Sequence, residues 1–268
     1  MRRKAKAAVT ALAASNCATG AATEGAGTSQ FCTSLTGAIV KVSPHGQATS
    51  VLTELPSVTE EAIGEVTGPS AIGYGHGQEA VTIDDFLVNK DGGNSLLPRP
   101  FASAFGTLRL ISHGKGKAVG NPAPITGDAQ AVPTSVAIGP DGALYASLLR
   151  GAPSDPGTAD IYRVVPGHQP EIWSRGLTSV TAIAFDRQGR LLATEFNTGG
   201  LLSPPTVPGA LVRISADGQT VTALPVPGLY QPTGVAVSAD GTVYVSNDGD
   251  STAASSQPGE IVKITGLS

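Results

Sequence analysis

Oxygen-bearing side chains recur at one kind of place in this chain. Asp84 and Asp85 follow the run AVTI, Glu195 and Asn197 follow LLAT, and Asn247 and Asp248 follow TVYVS. Each group closes an apolar run and opens a polar stretch. Carboxylates and amides are hard oxygen donors, and a ring of them suits a calcium-like ion. Such an ion would polarise a bound water for attack on an ester or lactone. Glu195, Asn247 and Asp248 are the candidate ligands for it. A plainer reading stands beside this one, because Asn and Asp at strand ends are ordinary turn formers. The histidines offer little as bases. His76 sits in GYGHGQE, a tight turn at the other end of its strands, and His45, His113 and His168 lie in or beside tight turns. No Gly-x-Ser-x-Gly elbow, metal-binding His pair or phosphate loop occurs.

The elements that must position these groups are repeats. PTSVAIGPDGALYAS (133–147) returns as SVTAIAFDRQGRLLATE (179–195) and as PTGVAVSADGTVYVSN (232–247). Gly142, Gly189 and Gly241 mark the turns, 47 and 52 residues apart. A second phrase follows each hairpin: GAIVKV (37–42), ADIYRV (159–164), GALVRI (209–214) and GEIVKI (259–264). FGTLRLI (105–111) is a shifted copy of it. Another Gly turn and a further strand come next. The unit is four strands, A to D, and a strand-only repeat of this period reads as a propeller blade.

Loop length then picks a face. A–B and C–D turns are short, whereas the B–C connections Leu148–Thr158, Phe196–Pro208 and Asp248–Pro258 are long. B–C and D–A connections emerge on one face of a propeller, and long loops on a rigid scaffold are where binding resides. Ser70, Thr134, Ser135, Ser179 and Thr233 start the A strands at that same face. Lys41, Arg163, Arg213 and Lys263 hold one place on strand C, where a long stem covers apolar surface while the charge meets water. Trp173 and Tyr162 read as blade core. About five blades are present and two are incomplete: the first shows strands C and D over Ala38–Leu55, with Ala7–Ser15 as a candidate strand B, and the last stops after strand C.

Composition agrees with an all-β chain. Of the 268 residues, 14% are charged, against about 25% in ordinary domains. The net charge of −4 is spread out, so nucleic acid is excluded as a partner. No apolar run is long enough to cross a membrane as a helix. The opening MRRKAKAAVTALAAS reads either as a short export signal or as a strand of the first blade. Cys17 and Cys32 are the only cysteines. A bond between them would close a loop of about 15 residues, worth roughly 3 kcal/mol in the chain-entropy account. The organisation expected is an N-terminal segment over 1–36 and one propeller over 37–268.

The blades are similar to NHL-type repeats and more closely resemble the ScyD/ScyE family of bacterial β-propeller proteins. GAIVKVSPHGQATSVLTELPS, VTGPSAIGY, FGTLRLIS, AVPTSVAIGPDGALYAS, TAIAFDRQGRLLATEF, PGALVRISADGQTVTAL and QPTGVAVSADGTVYVSNDG carry the resemblance, in that order. It implies six blades behind a secretion signal, hence an extracellular or periplasmic protein. This chain departs from the pattern by lacking the inner hairpin of the first blade. It also lacks a blade between Ser112 and Ala131. The family implies no catalytic residues. The expectation is therefore an exported, non-catalytic binding or scaffold protein that takes a small molecule, a glycan or another protein at its B–C loop face, through Asp84, Asp85, Glu195, Asn197, Asn247 and Asp248. No cofactor is expected beyond a possible Ca2+. The alternative is a metal-dependent, calcium-like propeller enzyme of the lactonase or lyase type.

Overall fold

The structure is a computed structural model that describes residues 4–9, 16–21, 28–61, 64–84, 105–112, 115–120, 132–151, 154–204, 206–248 and 258–267. Its twenty strands form five antiparallel sheets, and the described residues contain no helix. The sheets are the blades read from the repeats, and the fold is an all-β propeller.

Blade 2 runs β6 (Pro69–Gly75), β7 (Gln78–Ile83), β8 (Thr107–Ser112) and β9 (Lys115–Gly120). Blade 3 runs β10 (Pro133–Ile138), β11 (Leu144–Leu148), β12 (Ala159–Val164) and β13 (Glu171–Leu177). Blade 4 runs β14 (Val180–Phe185), β15 (Leu191–Glu195), β16 (Ala210–Ile214) and β17 (Val221–Ala223). Blade 5 has three strands, β18 (Gly234–Val237), β19 (Val243–Asn247) and β20 (Glu260–Ile264). Blade 1 is irregular. Its long β3 (Thr28–Val42) pairs with β4 (Ala48–Glu60), with β1 (Lys4–Val9) along Gly37–Val42, and with β2 (Asn16–Ala21) along Thr28–Thr33, and β4 pairs in turn with the short β5 (Glu65–Thr67). The strand beside Gly37–Val42 is thus Lys4–Val9, and residues 10–15 of the expected Ala7–Ser15 lie outside the described ones. Cys17 and Cys32 are opposite each other in the β2–β3 ladder and are joined by a disulfide.

Hairpin chemistry explains the inner turns. Gly142, Gly189 and Gly241 adopt φ of 76°, 75° and 89°, conformations open to glycine because it has no Cβ. In blade 2 the loop is His76-Gly77, both at positive φ. That is the two-residue primed turn that suits the strand twist.

Side-chain alternation then sends each blade's two apolar faces to different neighbours. Ile161 and Leu211 face the following blade, whereas Tyr162 and Val212 face the preceding one. Four cores result. Phe31, Ile39, Leu55 and Ile83 fill the seam of blades 1 and 2. Leu108, Val136 and Leu148 fill that of blades 2 and 3. Ile161, Val180, Leu191 and Ile214 join blades 3 and 4. Leu192, Leu211, Val243 and Val245 join blades 4 and 5. Tyr145 holds Trp173 and Phe185 edge-on at 4.9 and 5.0 Å, so Trp173 belongs to the blade 3–4 packing. Among the described residues no core joins blade 5 to blade 1, and the arc is open there.

Hydroxyls staple the seams. Ser70 Oγ donates to the Pro133 carbonyl at 3.0 Å, Thr134 Oγ1 to Val180 at 2.7 Å, and Thr181 Oγ1 to Pro232 at 2.7 Å. Each also pairs with a strand B hydroxyl: Thr82, Ser147 and Thr194. Thr233 repeats the inner half of this pattern with Ser246 at 3.1 Å. Among the described residues no further blade offers it a carbonyl.

Candidate functional site

The sequence-predicted residues fall in separate blades at the B–C face. Asp84 ends blade 2's strand B and uses its backbone, its N–H donating to Gly68 and its C=O accepting from Gly106. Asp85 lies outside the described residues. Glu195 and Asn197 belong to blade 4, and Asn247 and Asp248 to blade 5. Among the described residues no hydrogen bond joins one blade's group to another's.

Glu195 stands out by its surroundings. It is the last residue of β15, aligned opposite Val180. The same register place is Ile83 in blade 2, opposite Pro69, and Leu148 in blade 3, opposite Pro133. Both are fully buried apolar side chains, and Glu195 is itself only 8% exposed. A carboxyl thus occupies a position that blades 2 and 3 fill with hydrocarbon. Its Oε1 accepts from the Thr178 N–H at 2.8 Å, in the D–A loop. Burial pushes its pKa above the ordinary value of 4.5, and the Thr178 bond offsets that only in part. The charged form is penalised because low-dielectric surroundings solvate it poorly.

The loops around it are tied by hydrogen bonds. Thr178 Oγ1 accepts from the Gly157 N–H, linking the B–C loop of blade 3. The next residue, Ser179, is 2% exposed at φ 45°, and its Oγ has no hydrogen-bond partner among the described residues. Its carbonyl accepts from Phe196 N–H. A β carbon on Gly200 would stand 2.4 Å from the Ser154 carbonyl, so the loops of blades 3 and 4 touch there. Positive φ at a buried serine costs energy, and such strain gathers at functional sites.

Asn197 and Asn247 act differently. Asn197 is 1% exposed and organises its own loop, accepting from Gly199 N–H and donating to the Ser203 and Pro204 carbonyls. Asn247 holds blade 5's register place equivalent to Glu195. Its Oδ1 accepts from Tyr230 N–H at 2.8 Å. Its Nδ2 donates to Gly228 O, to Asp248 Oδ2 at 3.3 Å and to Glu260 Oε1 at 3.1 Å. Two carboxylates therefore converge on one amide. Glu195 and Asn247 each commit an oxygen to a D–A loop amide, whereas calcium wants 6–8 oxygens. Among the described residues no three His, Cys, Asp or Glu side chains are grouped as a metal would require.

The strand A hydroxyls Ser70 and Thr134 are seam staples, Thr233 pairs within its own blade, and Ser135 Oγ accepts from Ile183 N–H across the blade 3–4 seam. Sequence reading missed Thr178, Ser154 and Glu260. A register comparison would have flagged Glu195 against Leu148 and Ile83, but Thr178 reaches Glu195, and Ser154 reaches Gly200, only through loop folding.

No family model and no curated protein matches this chain. Solved structures do. A protein of Thermus thermophilus named as a putative oxidoreductase (glucose dehydrogenase) matches at 18% identity over 88% of this chain and 77% of its own, with a TM-score of 0.59. A structure named glucose dehydrogenase matches at 14% identity over 89% and 77%, with a TM-score of 0.53. A gluconolactonase of Xanthomonas campestris matches at 13% identity over 78% and 62%, with a TM-score of 0.47. The two structures named for glucose dehydrogenase show the propeller fold. One expectation is corrected: these two structures bear enzyme names, where a non-catalytic scaffold was expected. Among the described residues no helix is long and apolar enough to cross a membrane.

Proposed function

We propose that the chain is an exported propeller enzyme of the lactonase or lyase type, working at the B–C loop face between blades 3 and 4 with Glu195 as general acid. One observation carries this reading: a buried carboxyl, inclined to keep its proton, stands where blades 2 and 3 place Ile83 and Leu148. A titratable group held at a cost to stability, beside a strained serine under two loops, is a functional-site candidate. With no histidine at this face as base among the described residues, the fitting chemistry is protonation of a leaving oxygen. In ring opening of a small cyclic ester, water adds to the carbonyl carbon and the ring C–O bond breaks. Glu195 gives its proton to the departing oxygen and regains one from the water. The resemblance to the ScyD/ScyE family and the Cys17–Cys32 disulfide support export, because disulfides persist in oxidising compartments.

The test is hydrolysis of a panel of small lactones followed by proton release, wild type against Glu195→Gln. Turnover by the wild type, reduced roughly 10²–10⁴-fold in the variant, is expected. Activity should fall as pH rises through the raised carboxyl pKa. No turnover on any lactone, or an unchanged rate in a folded variant, overturns the reading.

A further inference from the structure

The opposite face of the propeller holds a separate cavity. It has a volume of about 540 Å³ and lies in the blade 4–5 seam, where the A–B turns emerge. Pockets of roughly 300–1,000 Å³ with a few convergent polar groups suit small ligands.

The seams explain why this one is charged. A turn residue of each blade lies against the turn glycine of the next. Gln78 meets Gly142, its Nε2 donating to the Gly142 carbonyl at 3.0 Å, and Pro140 meets Gly189. In the blade 4–5 seam that residue is Arg187, whose stem would stand 3.7 Å from a β carbon on Gly241. Arg213, on β16, lines the same cavity.

The acidic groups nearby are engaged. Asp186 pairs with Arg190 Nε at 2.7 Å and accepts from the Gln188 and Arg190 N–H groups at 2.9 Å. Asp240 accepts from Ser238 Oγ and from Thr242 N–H. Two guanidiniums, Arg187 and Arg213, therefore line a cavity with two carboxylates, of which Asp186 is already ion-paired to Arg190, over a floor formed by Leu192, Val243 and Leu267.

We infer that this cavity binds a small oxyanion-bearing molecule, a carboxylate or a phosphate monoester, through Arg187 and Arg213. Guanidinium forks match both anions, and charge-assisted bonds of this kind are the strong ones. The inference is independent of the Glu195 reading, since the two sites lie on opposite faces.

The test is calorimetric titration of the full chain with citrate and, separately, inorganic phosphate at constant ionic strength. Saturable binding of at least one probe is expected, and the stronger of the two identifies the anion class. Arg187→Gln should weaken it roughly tenfold. Asp240→Asn should strengthen it, because it removes a negative charge from the cavity wall; a merely structural role for the turn would not give that sign. Glu195→Gln should leave it unchanged. Absence of saturable binding to either probe, or equal affinity in wild type and Arg187→Gln, overturns the inference.

Discussion

Blades 3 and 5 are written in nearly the same phrases, yet among the described residues only blade 3 has a neighbour on each side. Ile161 and Ile261 hold the same register place, opposite Ser147 and Ser246. Ile161 is fully buried, while Ile261 is 67% exposed. Tyr145 is locked between Trp173 and Phe185, whereas its counterpart Tyr244 is half-exposed. Thr134 donates to the next blade's carbonyl, and Thr233 pairs within its own blade with Ser246. The difference teaches that a blade's apolar phrase encodes a face, and that the face gains its stabilisation only when a neighbour covers it.

The comparison can be broken most sharply with isoleucine. Ile161→Ala should destabilise by about 2–5 kcal/mol, because a packed site is left partly empty. Ile261→Ala should stay within about 0.5 kcal/mol, as exposed substitutions do. Equal losses in denaturant melts would mean that blade 5's outer face is covered.

Glu195 sharpens the contrast of blade 4 with blade 3. Its folded-state pKa is raised, so the native state binds more protons than the unfolded one and stability falls as pH rises above 4.5. Glu195→Leu, which writes in the residue type of blade 3, should raise the melting temperature above that pH and flatten its pH dependence. A variant that melts lower at high pH would show that the carboxyl is needed for the fold.

The smallest effect concerns the staples. Thr134→Val should cost about 1–2 kcal/mol by leaving the Val180 carbonyl short of a donor, and Thr233→Val close to nothing. A matching loss at Thr233 in urea unfolding would point to an acceptor across the open end.

Much of this was legible in the chain. Turn glycines at regular spacing and alternating apolar runs specify hairpins and their two faces by local rules alone, and the blades follow. The irregular first blade was less legible, because β1 pairs with the far half of β3 across the whole of β2, a contact distant in sequence. The polar residues at the ends of the B strands were visible as a group. Their roles were not, since Asn197 and Asn247 look alike in sequence but hold different loops.

Residue type and spacing alone specify the strand-turn-strand unit, its repetition and the polar ends of the B strands. That Glu195 is buried against Thr178, that Arg187 lies over Gly241, and that Ile261 is exposed where Ile161 is covered follow from the packing of blade on blade. Each of those depends on which blade lies beside which, and solvation of a charge is fixed by such neighbours rather than by the residue's own place in the chain.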